Sequence, residues 1–228
     1  MDFFASSFHE KMIARRRLCA GIALVVALLG TTSIAISAVR RPILRGAGWA
    51  LVFNDAVGPA DVIVVMVDAD GAGVLEAADF VHSGVATRVA VFGESPDTIV
   101  EREFIRRGVP YENAVARSVR QLKALGVENV DLIPTYVTGT ESEGPVLADW
   151  CDKNRLHSVV VVSTSDHSRR LHRMLHRAMK GHPTRVAIRS ARFSAFDPDR
   201  WWSSRRGLRT EVVEFEKLLL DIVRHPIS

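Results

Sequence analysis

Residues 158–170 read Ser-Val-Val-Val-Val-Ser-Thr-Ser-Asp-His-Ser-Arg-Arg, and the rest of the fold can be read outward from them. The four consecutive valines are typical of a strand that is buried on both faces. Residue types that cap helices follow, and apolar side chains then recur at helical spacing. We therefore predict a buried strand that leads directly into a helix, with His167 and Arg170 in the first turn of that helix.

The junction of this strand and its helix is a place where α/β proteins bind ligands. In open α/β sheets, ligands lie outside the carboxyl ends of the strands. The unpaired N–H groups and the dipole of a helix N-terminus favour an anion there. Ser165, His167 and Arg170 are therefore candidate ligand-binding residues. A capped helix with a solvated basic face is the alternative that the local sequence leaves open.

Strand and helix patterns alternate along the chain. This alternation predicts an α/β fold with a mainly parallel sheet and helices on both of its faces. The predicted strands are 62–67, 88–92, 129–133, 158–163 and 185–188. The predicted helices are 74–82, 95–107, 112–125, 140–153, 165–180 and 207–224.

The last predicted helix, 207–224, is amphipathic. We expect one apolar face of this helix to point inward and to close the core. The residues of that face are Val212, Phe215, Leu218, Leu219 and Ile222.

The ends of the predicted strands should share one rim, because right-handed crossovers are strongly preferred. Glu143, three residues after a threonine, fits a capping box, and at this rim it is also a candidate catalytic carboxylate. The other candidate ligand contacts of the rim are Asp70, Gly71, Gly93, Glu94 and Thr140.

Two clusters resemble metal sites but are better explained in other ways. Asp68 and Asp70 could bind Mg²⁺ or Ca²⁺, but two carboxylates on a turn more often cap a helix. His172 and His176 share a helix face, but position 173 is arginine where the HExxH motif has glutamate. We predict no metal site, and a solvated basic face for that helix.

The composition argues against several classes of function. The chain has 228 residues and a formal charge of +4, with its arginines scattered over predicted helices. Because no nucleic-acid motif accompanies this charge, we expect no nucleic-acid partner. Cys19 lies in an apolar stretch, which leaves Cys151 alone in the soluble part and excludes a disulfide-stapled scaffold. No strand end or glycine-rich turn presents Cys151 as a nucleophile.

Residues 18–39 carry no charged side chain and are long enough to cross a hydrocarbon core of about 30 Å. Four basic residues precede this stretch and three follow it, which favours a cytoplasmic N-terminus. The main domain then lies on the extracytoplasmic side of the plasma membrane, whereas the reverse orientation would place it in the cytoplasm. A cleavable signal peptide is the competing interpretation. The predicted organisation is a cytoplasmic segment 1–17, a transmembrane helix 18–39, a juxtamembrane connector 40–58 and an α/β domain 59–228.

Taken together, these residues resemble the DUF218 family of bacterial proteins (YdcF-like and SanA/ElyC-like). The resemblance covers about residues 42–225, and the His167 and Arg170 pair looks like the family's signature. It implies a Rossmann-like three-layer domain, often membrane-anchored, with a link to envelope or peptidoglycan metabolism. It implies no particular reaction or cofactor. The matching segments begin at Pro59 (Pro-Ala-Asp-Val-Ile-Val-Val-Met), Ala77 (Ala-Ala-Asp-Phe-Val-His-Ser-Gly), Arg88 (Arg-Val-Ala-Val-Phe-Gly), Arg107 (Arg-Gly-Val-Pro), Thr140 (Thr-x-x-Glu) and Val159 (Val-Val-Val-Val-Ser-Thr-Ser-Asp-His-Ser-Arg-Arg).

Two loops depart from the family pattern. The first strand typically ends in Gly-Gly with an arginine shortly after, but here Asp68-Ala-Asp-Gly-Ala-Gly follows and no arginine comes before the helix. The second strand often ends in Ser-Gly-Gly, but here it ends in Phe92-Gly93-Glu94. These departures indicate an altered activity or a degenerate site that is kept for binding.

The sequence supports two functions. In the first, Arg170 and the helix N-terminus hold a phosphorylated or otherwise anionic envelope metabolite, which could be lipid-linked. His167 then acts as general acid or base, and Glu143 or Asp70 orients it or activates water for hydrolysis or group transfer. In the second, the same rim is a non-catalytic module that binds a ligand or a protein partner beside the membrane.

Overall fold

The computed structural model describes residues 21–25, 27, 37–93, 98–134 and 140–226. Within these residues, we find no helix that is both long and apolar enough to cross a bilayer. The predicted cytoplasmic segment 1–17 and most of the predicted span 18–39 lie outside the described residues. The chain separates into two compact units, residues 1–46 and 47–228, and the second unit contains the sheet.

The strands lie close to their predicted positions. They are β1 (Val62–Val65), β2 (Arg88–Phe92), β3 (Asn129–Ile133), β4 (Ser158–Ser163) and β5 (Arg185–Ser190). The helices are α1 (Ser37–Leu51), α2 (Asp70–His82), α3 (Ile99–Arg106), α4 (Ala114–Ala124), α5 (Thr140–Lys153), α6 (Ser168–Ala178) and α7 (Arg205–Arg224).

The five strands form one sheet in the order β3-β2-β1-β4-β5, and every neighbouring pair is parallel. Val64 of the central strand β1 pairs with Ala90 on one side and with Val161 on the other. The predicted parallel sheet is confirmed. The direction of strand order reverses between β1 and β4, and this reversal is the topological switch point at which α/β sheets bind ligands.

The core has two halves, one on each face of the sheet. Alternate residues of β1 point to opposite faces, as in any strand. Ile63 and its neighbours pack against apolar residues of α2 and α4, among them Leu122. Val62 and its neighbours pack against apolar residues of α5 and α6, among them Leu147 and Leu171. The domain is therefore an α/β sandwich of three layers with a Rossmann-like arrangement.

The segment predicted as a connector, 40–58, has two structural roles. It is helical through Leu51, as the C-terminal part of α1. It then runs along the outer edge of β5, where the Asp55 N–H donates to the Ile188 carbonyl at 2.8 Å and the Asp55 carboxylate accepts from the Ile188 N–H at 2.9 Å. The outer edge of β5 is thus covered, which protects it from pairing with another chain.

Helix α7 faces the core with a different side from the predicted one. Val212 is 63% exposed, and Phe215, Leu219 and Ile222 are exposed as well. Only Leu218 of the predicted apolar face is buried, together with Gly207 and Glu211. The prediction was wrong because the inner side of α7 carries carboxylates that meet arginines of α6.

Candidate functional site

Asp68 connects the ends of the two central strands. Its Oδ2 accepts hydrogen bonds from the Ser163 hydroxyl at 2.9 Å, the Thr164 N–H at 3.0 Å and the Thr164 hydroxyl at 2.6 Å. Asp68 therefore binds the loop after β4, and the N-cap position of α2 is Ala69, which has no side-chain cap. The Thr164 N–H is one of the backbone donors that we expected to bind an anionic ligand. It is already bound by a carboxylate of the chain itself.

Glu143 lies on the inner side of α5, beside the end of β1. Its side chain is 3% exposed and accepts a hydrogen bond from the Val67 N–H. Burial, followed by the nearby charge of Asp68, raises the pKa of Glu143 to about 7, against the opposing influence of His167. Glu143 is therefore a buried carboxyl group that can exchange a proton near neutral pH.

His167 is held in one orientation by a guanidinium group. Its Nδ1 lies 2.7 Å from Arg170 Nη2 and 3.5 Å from Glu214 Oε2. Because a guanidinium only donates, we assign Nδ1 as the acceptor, which places the proton of the neutral imidazole on Nε2. The His167 ring is 4% exposed, and its Nε2 has no hydrogen-bond partner among the described residues. The imidazole therefore has a buried Nε2–H group that no described residue accepts.

Glu214 of α7 is a central residue of this site that the sequence reasoning missed. Its Oε2 accepts from Arg170 Nη2 at 3.0 Å, and its Oε1 accepts from Lys217 Nζ at 2.6 Å. Burial works against the ionised form of Glu214, but the hydrogen bonds and charges of Lys217 and Arg170 favour that form, and the pKa of Glu214 falls to about 2. Glu214 is therefore a permanent anion that fixes Arg170.

The same charge pattern continues along α6 and α7. Arg173 Nε donates to Asp221 Oδ2 at 2.6 Å, and Arg177 pairs with the same carboxylate. Burial opposes ionisation of Asp221, but hydrogen bonds from Arg177 and Arg173 lower its pKa. The basic side of α6, predicted to be solvated, is therefore packed against α7.

A second buried carboxyl group lies one turn before Glu214. Glu211 is 4% exposed, and its Oε2 has no hydrogen-bond partner in the described part of the chain. Burial, and then the nearby Asp166, raises the pKa of Glu211 to about 7. Burial also raises the pKa of Asp166. The site therefore contains one carboxyl group that stays ionised, Glu214, and two that are protonated in part at neutral pH, Glu143 and Glu211.

Two other candidate residues, Ser165 and Gly93, form hydrogen bonds within the fold. The Ser165 hydroxyl donates to the Phe196 carbonyl at 3.1 Å, and the Ser165 N–H donates to the Ser194 hydroxyl. The Gly93 N–H donates to the Ile133 carbonyl at 2.8 Å.

The remaining candidates add less to the description of the site. Asp70 is exposed, and a Cβ added to Gly71 beside it would meet no atom within 4 Å. Thr140 begins α5, but its side chain lies outside the described residues, as does all of Glu94. The His172 ring stacks on Phe53 at 3.8 Å between centroids, and no cluster of three metal-ligating side chains occurs in the described ranges.

Asp70 has an unusual backbone conformation, with φ 40° and ψ −139°. Side chains are disfavoured at such angles, and glycine is not. We expect Asp70→Gly to raise the free energy of unfolding by about 1 kcal/mol in urea titrations. Asp70→Ala is the control, because alanine keeps the strain. Equal stability of the two variants would contradict this prediction.

Comparison with known proteins adds no family. No protein-family model matches the chain, and no curated protein matches it. Among solved structures, the chain is similar to one described as the native structure of a mycobacterial quinone oxidoreductase, with a TM-score of 0.29 and 11% sequence identity. The match covers 81% of this chain and 52% of the other, so the chain spans about half the length of that protein. We take no function from a similarity of this size.

Proposed function

We propose that the chain is a hydrolase or group-transfer enzyme in which Glu143 is the general base and His167 is a hydrogen-bond donor to the reacting oxygen. The observation that carries this proposal is the buried His167 Nε2, which has no hydrogen-bond partner among the described residues, together with a buried carboxyl group that His167 influences electrostatically, Glu143. Buried polar groups without partners are rare in proteins and cluster at functional sites.

In the proposed hydrolysis, ionised Glu143 accepts a proton from water while the water oxygen attacks the phosphorus or carbonyl carbon of an ester. The His167 Nε2–H donates a hydrogen bond to the oxygen on which negative charge develops. The bond to the leaving oxygen then breaks, and the proton held by Glu143 passes to that oxygen. A neutral imidazole is a poor proton donor, so His167 stabilises charge in this step and keeps its own proton.

The resemblance to DUF218 proteins supports an envelope metabolite as the substrate, and Arg170 at the start of α6 supports an anionic one. We propose an anionic, phosphorylated envelope metabolite as the substrate class. The apolar stretch 18–39 supports a membrane tether, and the excess of basic residues before that stretch supports an extracytoplasmic position for the domain.

The proposal is tested with the purified full chain and three chromogenic esters: p-nitrophenyl phosphate, bis-p-nitrophenyl phosphate and p-nitrophenyl acetate. We expect turnover of at least one phosphate ester, and a loss of about 100-fold or more in His167→Gln and Glu143→Gln. The rate should rise with pH through about 7, because only ionised Glu143 acts as a base.

The matched controls for these variants are His157→Gln and Glu128→Gln, which change exposed residues. Both controls should keep the wild-type rate. The proposal fails if the wild type hydrolyses none of the esters above background, or if His167→Gln is as active as the wild type.

A non-catalytic binding module is the second candidate. The observation in its favour is that Asp68 already occupies the Thr164 N–H and that Glu214 already binds Arg170. An anion at the rim would have to compete with these carboxylates. Saturable binding of a phosphate ester without any turnover would favour this second function.

A further inference from the structure

A large cleft lies beside the candidate site, between helices α5, α6 and α7. Its volume is about 1060 Å³, and Arg170 is one of its lining residues. Arg170 also contacts the His167 ring, so one side chain borders both the cleft and the buried imidazole. His167 and Glu143 themselves do not line the cleft. The cleft is therefore a separate surface next to the proposed reaction centre.

The walls of the cleft carry more positive than negative charge. The cationic lining residues are Arg170, Arg177, Lys217 and Arg224, and the acidic ones are Glu141 and Asp221. This excess of cations favours an anionic occupant.

Two of the cations have donors to spare. Arg224 has no ion-pair partner among the described residues, and its side chain is exposed. The Lys217 ammonium group is half exposed and uses one of its three protons on Glu214. Phosphate oxygens are well suited to such donors, since charge-assisted hydrogen bonds are short and strong.

The cleft also has an apolar part. Met174 and Leu220 line it, and Leu220 is about half exposed. The cleft therefore offers an apolar surface beside its cations, which a free inorganic ion would leave without a contact.

We propose that this cleft binds an amphiphilic phosphate, with Lys217 and Arg224 holding the phosphate group and Met174 and Leu220 contacting the apolar part. The inference rests on the proposed function, since it names the substrate class of that reaction centre and the path by which the substrate reaches Arg170. The phosphate could belong to a lipid headgroup or to a small soluble molecule, and a short alkyl phosphate presents the chemistry that both share.

The test is isothermal titration of the full chain with hexyl phosphate, inorganic phosphate and 1-hexanol. We expect hexyl phosphate to bind more tightly than inorganic phosphate, and hexanol not to bind. Arg224→Gln and Lys217→Gln should each weaken both phosphates by about tenfold, which is the effect of one lost charged hydrogen bond. Leu220→Ser should weaken hexyl phosphate alone.

The matched control is the pair Arg102→Gln and Lys123→Gln, which removes the same charges from exposed positions outside the cleft. The inference is overturned if these controls weaken binding as much as the cleft variants do, or if hexanol binds as well as hexyl phosphate. Equal affinity for inorganic phosphate and hexyl phosphate would show that the apolar residues of the cleft do not contact the ligand, and would overturn that part of the proposal.

The outcome for the cleft is distinct from the outcome for the reaction centre. His167→Gln should keep the wild-type affinity for hexyl phosphate while ester turnover is lost. Binding without turnover in the wild type would reject the proposed enzyme and keep the binding site. Turnover of esters by a wild type that does not bind hexyl phosphate would reject the cleft as the substrate site and keep the enzyme.

Binding by the lipid form of the ligand is distinguished with vesicles. Vesicles of phosphatidylcholine with phosphatidic acid should compete with hexyl phosphate, whereas vesicles of phosphatidylcholine alone should not. Competition by both vesicles would show apolar binding without phosphate recognition and would overturn the proposal. Competition by neither would restrict the ligand to soluble phosphates.

Discussion

Replacing Glu143 by glutamine is expected to stabilise the fold at pH 8 while it abolishes turnover. The carboxyl group has a pKa of about 7 in the folded chain and an ordinary value of 4.5. Because the folded pKa is raised, the destabilisation is absent below pH 4.5, grows between pH 4.5 and 7, and is complete above pH 7. The full effect is about 3 kcal/mol. A buried amide leaves some donors unpaired, so we expect a net gain of roughly 2 kcal/mol.

The measurement is urea unfolding of wild type and variant at pH 4 and pH 8. At pH 4 the variant should be about 1 kcal/mol less stable than the wild type, because the glutamic acid is then protonated and only the cost of the buried amide remains. Glu128→Gln, which changes an exposed residue, should leave stability unchanged at both pH values. A Glu143→Gln variant that is less stable than the wild type at pH 8 would show that the carboxylate is held by contacts which favour its charge.

Glu211 should also lower the free energy of unfolding at neutral pH, because its pKa is also raised to about 7. Two buried carboxyl groups of this kind lower the stability of the domain at neutral pH. Buried groups that lower stability are typical of functional sites, where the chemistry determines the side chain. Both carboxyl groups are therefore consistent with the proposed reaction centre.

The fold was accessible from the sequence because local signals agree with the final packing. The valines of β1 and β4 are buried on both faces, as their runs predict. The thirteen residues from Ser158 to Arg170 likewise form a strand, a short loop and a helix start. The carboxyl ends of these strands then bring Asp68 and His167 to the same edge of the sheet.

Glu214, the carboxylate that holds Arg170, could not be predicted in the same way, because apolar periodicity pointed to the wrong side of α7. That helix carries Glu214 and Asp221 seven residues apart, and α6 carries Arg170 and Arg177 with the same spacing. Side chains at this spacing lie on one helix face. The equal spacing of these acidic and basic residues predicts that α6 and α7 pack together, whereas the spacing of apolar residues does not.

Glu214→Gln is expected to destabilise the fold at neutral pH, the opposite of Glu143→Gln. The pKa of Glu214 is about 2 in the folded chain, compared with an ordinary value of 4.5. Because the folded pKa is lowered, the contribution to stability is complete above pH 4.5 and is lost as the pH falls toward 2. The loss in the variant should be about 3 kcal/mol at pH 7, since the mostly buried Arg170 side chain is left without its carboxylate.

Urea unfolding at pH 7 measures this loss, and a second measurement at pH 3 should show a smaller difference between the variant and the wild type. Glu216→Gln, an exposed change on the same helix, is the control and should have no effect. The ¹⁵N shifts of the His167 ring give an independent readout, because Nδ1 should lose its fixed donor when Arg170 is no longer held. Unchanged stability together with unchanged ring shifts would mean that Arg170 holds His167 without help from α7. The proposed reaction centre would then need only α5 and α6.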